Sequence, residues 1–210
     1  MQVQPRLVTL EGGEGAGKST VLAALRAALE ADGEVVTCTR EPGGTPLAEQ
    51  IRDLLLDTRH EPPSADTELL LMFAGRAQHV RETILPALGS GNWVISDRFT
   101  DASYAYQGAA RGGDSEFIAE LERRVVGITP GLTLLLDVPV ETGLQRVRGR
   151  GKVDRIEAET QGFFDAVRQA YLARAAAEPR RFRVIDATLP EAEVAAAAVG
   201  HLQHYRDALR

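Results

Sequence analysis

The residues of this chain with the clearest chemical purpose form a glycine-rich segment near the amino end. The stretch from Leu7 to Thr20 reads LVTLEGGEGAGKST, an apolar run followed by glycines, a lysine and two hydroxyl residues. The spacing Gly12-x-x-x-x-Gly17-Lys18-Ser19 matches the Walker A pattern at every position. Glycines in such a loop let backbone N–H groups turn toward phosphate oxygens, where a Cβ atom would clash.

This segment predicts a nucleoside triphosphate site. A helix starting at Gly17 adds the positive end of its dipole, Lys18 can reach the terminal phosphates, and the Ser19 hydroxyl can ligate magnesium. A glycine-rich turn without function is the alternative, but a strand before and a helix after the motif favour the nucleotide. The residues predicted to contact the triphosphate are Gly12, Gly13, Glu14, Gly15, Ala16, Gly17, Lys18, Ser19 and Thr20.

Composition limits the classes of protein to which the chain can belong. The chain has 210 residues, 44% hydrophobic and 26% charged, which is ordinary for a globular protein, and a formal charge of −6. That charge argues against a protein that holds long nucleic acid by its phosphates. The single cysteine, Cys38, excludes an intramolecular disulfide and a cysteine-based zinc site. No apolar run approaches the ~20 residues of a membrane span, so we expect a cytoplasmic location.

Short apolar runs alternate with helical patterns along the chain. After the run before the glycines, we predict strands at 35–39, 93–96, 132–136 and 182–185. Helices are predicted after the loop and at 47–56, 67–88, 115–126, 141–148, 163–177 and 190–209. The expected fold is α/β of the P-loop NTPase class, with a doubly wound five-stranded parallel sheet flanked by helices. We expect one domain over 1–210, with a short mobile lid at about 142–157.

Ligands of such folds bind at the carboxyl ends of the strands, where this chain carries charged residues. Arg40 follows the second strand and is placed to fork onto a phosphate, although a solvated arginine before a turn is the alternative. Asp97 and Arg98 follow the third strand, where the acid can hold magnesium through water and the arginine can bind a second phosphate group. An ordinary surface ion pair is the alternative. Together these residues suggest a second phosphorylated molecule opposite the triphosphate.

Two further patterns have both a functional and a structural interpretation. Phe73 and Arg76 share a helical face, where a ring and a guanidinium could stack on a base and contact its edge, or Phe73 could be core. The segment 142–157 is dense in charge and contains Gly149 and Gly151, which interrupt any helix. Such a basic loop can close over a migrating phosphoryl group, or it can be a solvated surface loop.

With these residues identified, the sequence resembles the bacterial thymidylate kinase family along nearly its whole length. The order and spacing of five motifs support the resemblance. They are EGGEGAGKST (11–20), TREPGGT (39–45), Phe73-x-x-Arg76, DRFTDASYAYQGAARG (97–112) and RGRGKVDRIE (148–157). The resemblance implies transfer of the γ-phosphoryl group of Mg-ATP to dTMP, a step in dTTP biosynthesis, by a homodimeric enzyme.

The resemblance also assigns roles to matching positions. Phe73 would stack on thymine while Arg76 and Ser103 read its edge, and Tyr106 would lie against the deoxyribose. Asp97 would organise Mg²⁺ with Ser19, and Asp186 falls where the family holds adenine. The implied dTMP-binding set is Glu14, Arg40, Phe73, Arg76, Arg98, Ser103, Tyr106 and Gln107.

One departure distinguishes two subtypes of the family. Some members carry an arginine inside the phosphate loop, where this chain has Gly15, so the resemblance is to the subtype whose lid supplies the catalytic arginine. We expect Arg150 in that role, with Arg148 and Arg155 as alternatives, beside Lys18 and Asp97. A kinase for another nucleoside monophosphate and a P-loop ATPase switch are the rival functions. A switch would lack the acceptor residues, and ADP release with each monophosphate would separate the kinases.

Overall fold

The computed structural model describes residues 1–59, 61–148 and 154–210, and a parallel sheet lies at its centre. The five strands are β1 (Gln2–Glu11), β2 (Val36–Arg40), β3 (Trp93–Asp97), β4 (Ile128–Asp137) and β5 (Phe182–Asp186). They are all parallel and lie in the order β2-β3-β1-β4-β5. The predicted doubly wound fold is confirmed, with β1 in the centre and the phosphate loop directly after it.

Helices connect the strands and cover both faces of the sheet. They are α1 (Lys18–Ala31), α2 (Pro46–Leu56), α3 (Ala65–His79), α4 (Leu85–Gly89), α5 (Thr100–Ser103), α6 (Ser115–Leu121), α7 (Val140–Val147), α8 (Gln161–Ala177) and α9 (Glu191–Asp207). π-Helical segments follow α3, α5 and α6, at Val80–Ile84, Tyr104–Ala110 and Glu122–Val126. Within the described residues, none of the helices has the length and apolarity that a membrane crossing requires.

One helical stretch differs in detail from the prediction and another was not predicted. The helix predicted over 67–88 is continuous from α3 through a π-helical turn into α4, and the π-helical hydrogen bonds lie just before Pro86, which lacks an N–H group. The helical stretch formed by α5 and the segment Tyr104–Ala110 has no predicted counterpart. Its alanine, tyrosine and glycine residues give no clear apolar period, so burial rather than pattern decides its conformation.

The core consists of layers on the two faces of the sheet. On one face, Val8 and Leu10 of β1 pack with Leu25 and Leu29 of α1 and with Leu202 of α9. The opposite face carries the ring of Phe73, the ring of Phe99 and a second cluster under α8. Burial of both faces explains why β3 and the end of β4 read as continuous apolar runs, whereas the outer strands β2 and β5 are less buried.

The strand register brings the charged strand ends to one edge. Asp97 lies opposite Leu10 of β1 and Arg40 of β2, and Asp137 lies opposite Asp186. The phosphate loop leaves β1 at this same edge. The edge therefore collects most residues that the sequence singled out.

Candidate active site

The phosphate loop has the backbone conformation that its glycines predict, with one exception. Gly12, Gly15 and Gly17 have φ of 140°, 69° and 88°, where an L side chain is strained, whereas Gly13 has no positive φ. The Lys18 Nζ donates to the carbonyl oxygens of Gly12 and Gly13 at 3.1 and 3.0 Å. Burial, followed by the charge of Arg98, lowers the pKa of Lys18. The loop backbone thus binds the Lys18 ammonium group, which would move to the phosphate oxygens when a nucleotide binds.

The loop packs tightly against α7 through two glycines. An ideal Cβ at Gly15 would lie 2.1 Å from the Gly143 carbonyl oxygen, and one at Gly143 would lie 2.3 Å from the Glu14 carbonyl oxygen. A side chain at position 15 therefore has no room unless α7 moves. This contact gives a physical reason for the missing loop arginine, because α7 occupies the space that it would need.

A cavity of about 480 Å³ lies outside the loop and is lined by Gly15, Gly17, Ser19, Thr20, Arg146, Ala187 and Thr188, among others. Arg146 of α7 donates to the Ala187 carbonyl oxygen at 2.9 Å and thereby joins the segment after β5 to the base of the lid. The Asp186 carboxylate accepts from the backbone N–H and hydroxyl of Thr188 at 2.9 and 2.6 Å, so it shapes the turn that borders this cavity. Arg146 in this position was not assigned from the sequence.

A neighbouring open cavity of about 510 Å³ contains the metal candidates. Ser19, Arg40 and Asp97 are among its lining residues. One carboxylate oxygen of Asp97, Oδ1, is buried without a hydrogen-bond partner in the described part of the chain. Arg40 is half exposed and pairs with Glu49 at 2.9 Å. The cavity thus contains a carboxylate oxygen of Asp97 without a hydrogen-bond partner among the described residues and the half-exposed guanidinium of Arg40.

A third cavity, of about 150 Å³, lies on the other side of the loop, and Glu14, Arg98, Tyr106 and Gln107 are among its lining residues. Arg98 donates to Glu14 at 2.6 Å and to the Tyr106 hydroxyl at 2.9 Å, and that hydroxyl donates to Glu14 at 3.2 Å. The Arg98 Nε is buried and lacks a partner among the described residues. Arg98 is the one non-glycine residue there with positive φ, 67°. This backbone turn aims the guanidinium at the loop.

The charges of this cluster are strongly coupled. Burial alone would raise the pKa of Glu14, but the charges of Arg98 and Lys18 and two hydrogen bonds lower it to about 2. The same burial raises the pKa of the Tyr106 hydroxyl. Glu14 is therefore ionised and Tyr106 neutral at neutral pH. Arg98 is paired with Glu14 in this state and can exchange that carboxylate for another anion.

Glu11, which sequence reasoning missed, fixes the turn that presents Arg98. Its carboxylate accepts from the Phe99 N–H at 2.8 Å and from the Tyr171 hydroxyl at 2.7 Å, and it is fully buried. Burial and the nearby charge of Asp101 raise the pKa of Glu11 to about 8. Its only signal in the sequence is an acid at the end of an apolar strand.

The predicted base-reading residues lie deeper than the cavity wall. Phe73 and Arg76 are each 2% exposed, and the Arg76 guanidinium lies 4.6 Å from the Phe73 ring centroid. Arg76 donates to the Ser103 hydroxyl at 2.9 Å and to Glu41 at 2.6 Å. Among the described residues, the lining of the 150 Å³ cavity includes Tyr106 and Gln107 but not these three. The structure thus joins Phe73, Arg76 and Ser103 into one group behind the wall.

The lid arginines have separate placements. Arg148 follows the last residue of α7 and is exposed, and Arg150 lies outside the described residues. Arg155 is held between α2 and α3, because its side chain donates to Glu68 at 2.7 Å and to the Leu55 carbonyl oxygen at 2.7 Å. Arg155 lines the 150 Å³ cavity together with Arg52, another residue that sequence reasoning missed.

Comparison with known proteins agrees with this geometry. The family model described as thymidylate kinase matches residues 10–198. A thymidylate kinase of Alcanivorax borkumensis is 58% identical over 88% of this chain and 89% of its own, and one of Pseudomonas syringae pv. tomato is 59% identical over 90% of each. The solved thymidylate kinase of Ehrlichia chaffeensis is 30% identical, with a TM-score of 0.76 over 97% of this chain and 99% of its own. The chain therefore belongs to the thymidylate kinase family.

Proposed function

We propose that the chain phosphorylates dTMP to dTDP, with ATP bound on the phosphate loop in the 480 Å³ cavity and dTMP in the cavity lined by Glu14, Arg98 and Tyr106. This is the reaction of its family and a step in dTTP biosynthesis. One observation carries the two-substrate arrangement. Glu14 belongs to the phosphate loop and also pairs with Arg98 in the second cavity, so a single short segment borders both sites.

The acceptor phosphate would replace Glu14 as the partner of Arg98. The unpartnered Nε of Arg98 and its fork geometry suit a phosphate oxygen pair, and Arg40 at the open edge would supply a second cation. Phosphoryl transfer needs no covalent intermediate, because the acceptor oxygen attacks the γ-phosphorus in line. Lys18 would then neutralise the charge of the migrating group, and the closed site would exclude water.

The thymidine part of the acceptor would lie along Tyr106 and Gln107. Tyr106 would contact the deoxyribose and Gln107 the base, since both side chains line the cavity. Phe73, Arg76 and Ser103 remain our predicted base-reading residues. To contact this group, the base would have to pass the wall of Tyr106 and Gln107; behind that wall Arg76 donates to the Ser103 hydroxyl at 2.9 Å.

Ser19 and Asp97 fit a magnesium ion of the kind that nucleotide kinases use. The buried, unpartnered Oδ1 of Asp97 is an oxygen ligand without another role among the described residues. In that part of the chain, His, Cys, Asp and Glu form no cluster of three, so the ion would depend on few protein ligands. Mg²⁺ typically keeps several waters and binds through one carboxylate plus substrate phosphates. When bound, it would neutralise the charge of the β- and γ-phosphates.

The lid would supply the cation that the phosphate loop lacks. Because α7 leaves no space for a side chain at Gly15, the catalytic arginine must come from another segment. We assign Arg150 to this role, with Arg148 as the nearest alternative at the end of α7. Asp186 would shape the adenine pocket through the turn after β5.

We further propose that the single domain over 1–210 works as a cytoplasmic homodimer. Exposed leucines on neighbouring helices are the candidate contact: Leu47 and Leu54 of α2 are 50% and 53% exposed, and Leu70 of α3 is 49% exposed. Phe73 itself is core rather than interface. Light scattering would report about twice the chain mass, and Leu54→Glu should convert the protein to monomers.

A substrate panel tests the proposed reaction. ADP release from ATP is measured alone and with dTMP, dUMP, dCMP or dAMP. We expect strong stimulation by dTMP, which Lys18→Ala should abolish. Arg150→Ala should lower kcat and leave the affinity for dTMP nearly unchanged, while the exposed, remote Arg124→Ala serves as the matched control. Loss of dTMP affinity alone in Arg150→Ala would contradict the assignment of the lid arginine.

A further inference from the structure

Glu68 is a buried carboxylate that lines the 150 Å³ cavity beside Gln107 and has no role yet in the proposed reaction. It lies in the first turn of α3, and its side chain is 2% exposed. Three donors approach it. Gln107 Nε2 donates to its Oε1 at 2.8 Å, Arg155 Nη2 donates to its Oε2 at 2.7 Å, and Arg111 Nε lies 3.4 Å from the same Oε2.

The contact with Glu68 decides which way the Gln107 amide points. The Glu68 Oε1 accepts from the NH₂ group of Gln107, and this contact turns the carbonyl Oε1 of the amide away from Glu68. That Oε1 is buried and has no partner in the described ranges of the chain. Gln107 is 3% exposed and lines the 150 Å³ cavity, so the side chain offers an unused acceptor at the acceptor site.

Arg155 binds the Glu68 carboxylate, which in turn orients the Gln107 amide. It donates to Glu68 through Nη2 and to the Leu55 carbonyl oxygen through Nε, which fixes both ends of the guanidinium. Arg155 belongs to the carboxyl-terminal part of the lid segment. The orientation of Gln107 therefore depends on a chain of contacts that runs from the lid through Glu68 to the base-reading wall.

We propose that Glu68 is a positioning residue that fixes the Gln107 amide with its acceptor oxygen toward the substrate base. The inference depends on the proposed dTMP site. An oriented acceptor favours a base that carries an N–H at the contacted edge, such as the imide N3–H of thymine or uracil. Cytosine presents a lone pair at N3, which a carbonyl oxygen repels. Glu68 thus sets selection between imide pyrimidines and cytosine through the Gln107 amide.

The test compares Arg155→Met with the double variant Glu68→Gln/Arg155→Met. Removing Arg155 together with the Glu68 charge avoids leaving the Arg155 guanidinium unpaired, and Arg111 keeps Glu159 as an ion-pair partner at 2.6 Å. The glutamine at 68 can donate to Gln107 Oε1, so the amide orientation is no longer imposed. The values of kcat/KM are measured for dTMP, dUMP and dCMP. Relative to Arg155→Met, the double variant should lose about tenfold or more of the dTMP:dCMP ratio, because one imposed hydrogen bond is lost. Its dTMP:dUMP ratio should stay within about twofold, since both bases carry N3–H.

A purely structural role for Glu68 would lower all three values in parallel, and unchanged ratios would overturn the proposal. Gln107→Met provides a second test that leaves Glu68 intact. It should reduce the dTMP:dCMP ratio similarly, and an unchanged ratio would refute the reading role of the amide. Absence of any dTMP-dependent ADP release from the wild-type chain would instead contradict the proposed function, so the two failures are distinguishable.

Discussion

Gly15→Ala is the most informative single change, because it perturbs the contact between the phosphate loop and α7. The new Cβ would lie 2.1 Å from the Gly143 carbonyl oxygen, whereas Cβ atoms in real structures essentially never come closer than 3.0 Å to such an atom. The loop or α7 must therefore move by about 0.9 Å. Because α7 carries Arg146 and leads into the lid, this shift displaces the catalytic groups relative to ATP. A misplacement of ~1 Å can lower a rate by about 100-fold.

The same substitution also strains the backbone, and a control variant with similar strain but no steric contact separates the two effects. Gly15 has φ of 69°, and a left-handed alanine costs about 1 kcal/mol. Gly127 has φ of 71°, but a Cβ there meets no atom within 4 Å. Gly127 lies before β4, at the opposite edge of the sheet from the site. Both alanine variants should lose about 2–4 °C in Tm from strain, and Gly15→Ala should lose more.

The assay measures dTMP-dependent ADP release and thermal unfolding of the three proteins side by side. We expect Gly127→Ala to keep near wild-type kcat and Gly15→Ala to lose about 100-fold. If Gly15→Ala stays within about twofold of Gly127→Ala in kcat, the α7 contact does not position the site, and our explanation of the missing loop arginine is wrong.

Two further predictions concern the buried charges. Glu14 has a pKa of about 2 in the folded protein against 4.5 unfolded, so its stabilising effect is present above about pH 4.5 and lost as pH falls toward 2. The gap in unfolding free energy between wild type and Glu14→Gln should therefore narrow in urea titrations from pH 6 to pH 3, and a constant gap would contradict the pairing with Arg98. Asp101 is fully buried between Arg174 and Arg181, so Asp101→Asn should cost about 3 kcal/mol or more in urea unfolding. Asp207→Asn, which removes an ion pair with Arg210 that is exposed on both sides, should cost under about 1 kcal/mol, and equal losses would refute the argument from burial.

The sheet and the phosphate loop could be predicted from the sequence because their signals are local. The apolar runs, the glycine spacing and Lys18 all occur within one short window, and the strand-end rule then predicted that Arg40, Asp97 and Arg98 gather at one edge. The structure confirms the sheet and its parallel order. The helix predicted over 67–88 is present as one continuous helical stretch, but its π-helical turn before Pro86 was not predicted, because an apolar period does not show where the hydrogen-bond pattern changes.

The contacts that organise the site could not be predicted, because they join residues far apart in the chain. Glu68 and Gln107 are 39 positions apart, and Glu11 and Tyr171 are 160 apart. A lone acid in an apolar stretch gives no indication of its partner. The packing of Gly15 on Gly143 also depends on where α7 crosses the loop, so the sequence could show the absence of an arginine but not its steric reason.

An isotope-transfer assay shows directly whether the chain moves the γ-phosphoryl group of ATP to dTMP. The protein is incubated with γ-labelled ATP, Mg²⁺ and dTMP, and the label in dTDP is compared with the ADP formed, for wild type and Lys18→Ala. We expect label in dTDP in a one-to-one ratio with ADP, and neither product above background in Lys18→Ala. ADP formed without labelled dTDP, or at the same rate without dTMP, would contradict a two-nucleotide site at this loop.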